Sequence, residues 1–182
     1  FPMERIFFEM TDISHTHTNG SQPSLSICSA VFWLFDRHGA GDVLVFVTDV
    51  HEIQECVRVL DGQGDWIVQP SHAQISKEEK AKVFDRSWSN ISRITVATNV
   101  AETSVTIPNI TFVINYGYEK NPPLLRKEMA SKASQVQREG RGGRVRAGVC
   151  LMMITQRAFD DLPVYRTPES QRLPPTSLML LC

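Results

Sequence analysis

Gly41-Asp42-Val43-Leu44-Val45-Phe46-Val47-Thr48 decides how this chain folds. Gly41-Asp42 turns the chain, and an unbroken apolar run follows. A strand with one wet face alternates apolar and polar side chains, whereas a continuous run needs cover on both faces, as in a parallel sheet. The neighbouring segments can supply that cover. Residues 24–37 place Ile27, Val31, Leu34 and Phe35 along one helical stripe, and residues 50–60 do the same with Ile53, Cys56, Val57 and Leu60.

Further out the pattern repeats. Residues 5–9, 66–68, 93–97, 110–114 and 149–154 read as strands, those at 93–97 and 110–114 buried. Ser76-Lys77-Glu78-Glu79 is a capping box that opens a helix through Phe84. Thr155 caps a helix through Leu162, and Thr167-Pro168-Glu169 starts a last one with proline at its first position. Residues 11–24 are rich in Thr, Ser, His and Asn and predict a flexible loop; His15 and His17 lack the partners of a metal site. Strand and helix thus alternate at short intervals over 182 residues, 42% of them hydrophobic. This predicts one α/β domain: a doubly wound, mostly parallel sheet with helices on both faces and right-handed crossovers. In such sheets ligands bind beyond the carboxyl ends of the strands.

Charge is segregated. The net charge is −1, which excludes a basic nucleic-acid coat, yet residues 126–146 hold seven Lys/Arg against Glu128 and Glu139. A local basic patch on a near-neutral domain points to a focused anion site. Cys28, Cys56, Cys150 and Cys182 form no CxxC pair and read as free thiols in a reducing compartment. No apolar run reaches the roughly 20 residues of a membrane span and no signal peptide opens the chain. The expected place is intracellular, nuclear or cytoplasmic, with mitochondria also open.

Two stretches carry candidate chemistry. Thr98-Asn99-Val100-Ala101-Glu102-Thr103-Ser104 leaves the end of a buried strand and is dense in hydroxyls and amides. Gln137-Arg138-Glu139-Gly140-Arg141-Gly142-Gly143-Arg144 repeats arginine every third residue, which on a helix or tight turn puts 138, 141 and 144 near one face. The interleaved glycines let a polyanion approach the backbone while guanidinium forks grip its oxygens. Taken alone, the octet is equally a solvated Arg/Gly loop.

Read together, the two stretches resemble a known family. Residues 97–107 closely resemble motif V of the DEAH-box and related superfamily 2 RNA helicases, and residues 134–144 resemble their motif VI, QRxGRxGR. Leu44-Val45-Phe46-Val47-Thr48 is similar to motif IV, and Thr167-Pro168-Glu169 to the TPE after the last strand. Nothing matches GxxxxGK[ST] or DEAH. The resemblance therefore implies the second RecA-like lobe alone over 1–182, with the first lobe and a winged-helix region lying outside; the abrupt start at Phe1 fits an excised piece. It further implies ATP and Mg²⁺ held mainly by the first lobe. Arg141 and Arg144 become arginine fingers, and Gln137 sits near the γ-phosphate and attacking water. Arg138 becomes a structural salt-bridge residue and Ser104 a link between nucleotide and RNA sides. Thr98 and Asn99, with Thr48 as a lesser candidate, become contacts to the RNA backbone. RNA, the first lobe of the same chain and an activator protein are the implied partners, with no membrane. The isolated lobe is expected to be inactive, although part of an NTP-hydrolysing enzyme.

Five departures qualify the match. Asn115 stands where the family has Asp in VxDxG, Asp49 where motif IV continues with Gly, and Glu139 and Gly142 where motif VI carries small residues, frequently Ala. The interval between Gly117 and Ser131 is too short for the family's long β-hairpin and is interrupted by Pro122-Pro123. Two alternatives stay open: a catalytically degenerate lobe that binds RNA or protein, and a DNA-directed relative.

Overall fold

Why a continuous apolar run becomes a central strand is visible in a computed structural model, which describes residues 1–7, 23–71, 91–103, 107–121 and 126–166. The chain runs β1 (Met3–Phe7), α1 (Pro23–His38), β2 (Asp42–Phe46), α2 (Val50–Leu60), β3 (Trp66–Ser71), β4 (Ser92–Ala97), α3 (Val100–Thr103), β5 (Ile110–Asn115), β6 (Tyr118–Asn121), β7 (Arg126–Met129), α4 (Lys132–Glu139), β8 (Gly148–Met152) and α5 (Gln156–Asp160). Among the described residues, six strands form one sheet in the order β1-β8-β5-β2-β4-β3. Every pair in it is parallel.

Alternate side chains of β2 feed two cores. Val43 and Val45 join Ile27, Leu34, Ile53 and Leu60 of α1 and α2 on one face. Leu44 and Phe46 join Ala101 of α3, Phe159 of α5 and Met152 on the other. Both faces of β2 are buried, as an unbroken apolar run requires. The doubly wound, RecA-like sheet expected from the sequence is the one observed.

The α2 boundaries match the sequence expectation, and several others shift. β1 begins two residues earlier than expected, β8 ends two earlier, and α5 stops at Asp160 rather than Leu162. Thr155 caps α5 as predicted, its side chain accepting from the Ala158 N–H at 3.1 Å. The helix predicted from Ser76, the Thr167-Pro168-Glu169 start, Cys182 and most of the 11–24 loop lie outside the described residues. Cys56 and Cys150 are buried free thiols and Cys28 is half-buried. Burial, aided by nearby Glu52, pushes the Cys56 thiol up to about 12, so it stays protonated. Among the described residues no helix is long and apolar enough to cross a membrane.

Candidate functional site

The candidate residues converge because β2, β4 and β5 are neighbours and end together. Val47 N–H donates to the Ala97 carbonyl at 2.9 Å and Tyr116 N–H to the Phe46 carbonyl at 3.2 Å, continuing the ladder past each strand. Thr98 directly follows β4 and is buried, whereas Asn99 is exposed. Their carbonyls accept from Ala101 and Glu102 at 3.1 and 2.9 Å, starting α3. Thr48 is buried two residues past β2, and its hydroxyl donates to Glu52 Oε2 at 2.6 Å. Its amide donates to the same oxygen at 2.9 Å, while Asp49 caps α2 by accepting from the Glu52 N–H at 2.9 Å. These reciprocal bonds satisfy donors that a helix start leaves open. The hydroxyl proton of Thr48 is thereby given to α2 in this structure. Ser104 lies outside the described residues.

Arg138 is where motifs V and VI meet. Its side chain is 0% exposed. Nε donates to Glu102 Oε1 at 2.6 Å, and a second nitrogen to Glu119 Oε2 at 3.2 Å. The third donates to the Tyr118 carbonyl at 3.1 Å and to Asn115 Oδ1 at 3.3 Å. Ser134 on α4 donates to the other oxygen of Glu102 at 2.9 Å. The guanidinium also lies over the Phe46 ring, 5.4 Å from its centroid. A buried cation is tolerable only with such partners, and here two carboxylates supply them. The ion pair with Glu102 joins α3 to α4, and that with Glu119 adds β6.

The rest of the octet differs from the sequence expectation. α4 stops at Glu139, and Gly140 follows at its C-cap. The Arg141 and Gly142 amides donate back to Arg138 and Glu139 at 3.1 Å each, closing a tight turn. Gly143 then takes φ +69°, a left-handed conformation that glycine adopts without steric cost. The three arginines therefore do not share a face. Arg138 points into the interior, Arg141 is half-buried, and Arg144 and Gln137 are exposed. Among the described residues, the Arg141 and Arg144 guanidiniums make no ion pair or hydrogen bond. Burial lowers the Arg141 pKa, the like charge of Arg144 lowers it further, and Glu102 pulls the other way. Arg141 remains a cation at physiological pH. Two neighbouring guanidiniums without an ion-pair partner among the described residues are suited to a polyanion.

Each departure from the family pattern meets a partner. Asp49, besides capping α2, pairs with Lys120 of β6. Glu139 pairs with Arg5 of β1. A Cβ on Gly142 would come within 2.6 Å of the Met3 side chain, so glycine fits beneath that longer neighbour. Asn115, fully buried, donates to Gln135 Oε1 at 2.6 Å and accepts from Gly117 N–H at 3.1 Å. Gln135 in turn donates to the Gly117 carbonyl at 2.9 Å, which fixes its amide orientation. An aspartate at 115 has no proton to donate and would face the Gln135 oxygen. Asn115→Asp is therefore expected to destabilise the lobe by about 1–3 kcal/mol, measured by thermal or denaturant melts. An unchanged midpoint would mean that Gln135 can reverse its amide.

The shortened interval does form a hairpin, reduced to four-residue strands, β6 and β7, paired antiparallel from Tyr118↔Met129 to Asn121↔Arg126. It is tied to the start of α2 by Lys120–Asp49 and by Lys127 Nζ to Glu52 Oε1 at 2.8 Å. Lys127 also lies over the Tyr116 and Tyr118 rings, 4.4 and 5.3 Å from their centroids.

Sequence reasoning missed Glu102, Glu119, Gln135, Glu52 and Arg5 as parts of this assembly. Glu102 lies within motif V, but its partner Arg138 is 36 residues away and nothing local marks the pairing. Glu119 and Arg5 carry no local signal, because their partners lie 19 and 134 residues away.

Comparison with known proteins agrees with this geometry. Residues 25–146 match the helicase conserved C-terminal domain family. The human protein named Probable ATP-dependent RNA helicase DHX35 is 38% identical over 175 residues, covering 85% of this chain and 25% of its own length. The ATP-dependent RNA helicase HrpA homolog of Haemophilus influenzae is 36% identical over 152 residues, covering 78% of this chain and 12% of its own. The crystal structure of the Escherichia coli DExH-box NTPase HrpB superposes with a TM-score of 0.79 at 25% identity, covering 93% of this chain and 21% of that one. The chain thus spans about a quarter or less of these relatives. With its parallel RecA-like sheet and motifs V and VI joined through Arg138, the chain belongs to the helicase C-terminal domain family, within the DEAH-box branch of superfamily 2.

Proposed function

We propose that this lobe is the second half of an ATP-driven RNA motor. Arg141 and Arg144 act as arginine fingers on ATP held with Mg²⁺ by a first lobe, and Gln137 lies toward the attacking water. The observation that carries this role is the contrast within the octet. Arg138 is buried and engaged by two carboxylates, whereas Arg141 and Arg144, close enough to feel each other's charge, have no ion-pair partner among the described residues. As a phosphoryl group is transferred, negative charge spreads over its oxygens, and positioned guanidiniums stabilise that state. Thr98 and Asn99, at the end of β4, contact the RNA backbone without reading sequence. Ser104 links the two sides, and Thr48 joins the RNA contact only if Glu52 releases its hydroxyl.

Thr98→Ala tests the RNA half of the proposal. In protein carrying both lobes it is expected to weaken RNA-stimulated turnover and unwinding more than basal turnover, by about 1.5–3 kcal/mol for one bond to a charged phosphate. Steady-state ATPase with and without single-stranded RNA measures it. An equal loss of both rates would place Thr98 in folding or nucleotide chemistry. The same assay with DNA distinguishes a DNA-directed motor, since 2′-hydroxyl contacts separate the two polymers. Compensation at Asn115, Asp49, Glu139 and Gly142 speaks against a decayed lobe, because each departure is accommodated without an orphaned buried group.

A further inference from the structure

We infer that Arg5 on β1 is a positioning residue for the finger pair, holding the turn around Arg141 and keeping the Glu139 carboxylate away from Arg141 and Arg144. The inference rests on the motor role proposed above. Arg5 Nε donates to Glu139 Oε2 at 2.8 Å, and a second guanidinium nitrogen binds the same oxygen. The Arg5 guanidinium lies over the Phe159 ring, 4.8 Å from its centroid, which fixes its direction.

Met3 is two residues earlier on the same strand and so points to the same face as Arg5. Its side chain fills the space that a Cβ at Gly142 would need, with Cε 2.6 Å from that position. β1 therefore touches the octet at Glu139 and at Gly142, on either side of Arg141. These contacts hold the turn in which the Arg141 amide donates to Arg138 and the Gly142 amide to Glu139.

The charge arrangement gives Arg5 a second effect. Glu139 is largely buried, with a side chain 14% exposed, and Arg5 is the only cation paired with it among the described residues. Without Arg5, a poorly solvated carboxylate would sit two residues from Arg141 and five from Arg144, both unpaired. A buried carboxylate left without its cation draws on the nearest free guanidinium, and a captured finger cannot follow a phosphate. Arg5 occupies Glu139 so that the fingers stay free.

The test uses protein carrying both lobes. Arg5→Gln keeps a stem over Phe159 and removes the charge. It is expected to lower kcat by about 10²-fold, the scale of a small misplacement of a catalytic group, with KM for ATP little changed. Arg5→Gln/Glu139→Gln is expected to recover most of that loss, and Arg5→Lys to retain most of the wild-type rate. A contact that serves only stability would shift the melting midpoint and leave kcat per folded molecule unchanged. Phenylglyoxal modification, mapped peptide by peptide, follows the arginines independently of turnover. Arg5→Gln should slow modification of Arg141 or Arg144, and Glu139→Gln in the same chain should restore it. If modification of both arginines is unaffected by Arg5→Gln, the inference is overturned, whether or not the wild type hydrolyses ATP. A wild type without turnover that still shows the modification pattern would overturn the motor role alone.

Discussion

Arg141→Ala and Arg144→Ala, each in protein carrying both lobes, are expected to lower ATP turnover by about 10³-fold or more, in line with what arginine fingers contribute elsewhere. The loss should fall on kcat, because a finger acts mainly on the transition state and adds little to binding of the ground state. Unpaired guanidiniums that feel each other's charge have free donors to offer, unlike Arg138. Lysine should rescue poorly at either position, since a point charge does not reproduce a planar fork. Single-turnover ATPase with a separate measurement of nucleotide affinity distinguishes chemistry from binding. Loss of affinity with kcat preserved would make Arg141 and Arg144 holders of ground-state phosphate rather than fingers, and a silent Arg144→Ala would remove it from the pair.

Most of the sheet was legible because β2, β5 and β8 are buried on both faces and are dominated by apolar residues. The position of β1 was less so. Its exposed Glu4 and the half-buried Met3, Arg5, Ile6 and Phe7 give no clean pattern, since β1 is an edge strand next to β8. α5 proved shorter than its apolar pattern, because Leu162 is buried from the turn that follows rather than from the helix.

The site was legible in residue type and misread in direction. A three-residue spacing places arginines together only while a helix continues, and Gly140 to Gly143 end it. What separates Arg138 from Arg141 and Arg144 is tertiary: carboxylates at 102 and 119, brought in by α3 and β6. Local spacing contains no information about those partners. Motif V and motif VI read as separate signatures in the sequence because the contact joining them spans 36 residues. Asn115 likewise shows in the sequence only as a departure from the family's Asp, whereas the partner that suits an amide there, Gln135, is tertiary.

Arg138 should fail in a different way from the other two arginines. Its side chain is 0% exposed and its partners Glu102 and Glu119 are themselves 10% and 7% exposed. Arg138→Met fills much of the same volume but removes the charge. Glu119 keeps Arg166, at 3.3 Å, whereas among the described residues Glu102 keeps the Ser134 hydroxyl alone, at 2.9 Å. Removing one partner of a buried pair leaves an uncompensated charge and costs about 3–5 kcal/mol. For a lobe of this size that corresponds to a fall in Tm of roughly 6–20 °C. Arg138→Met/Glu102→Gln should recover part of the loss, because the orphaned carboxylate has been neutralised. Arg138→Lys should lie between, since an ammonium cannot serve Glu102, Glu119, Asn115 and Tyr118 from one plane. Thermal melts combined with kcat per folded molecule separate the outcomes. A variant that melts like wild type yet loses turnover as severely as Arg141→Ala would make Arg138 part of the chemistry and leave the fold of motif VI to other contacts.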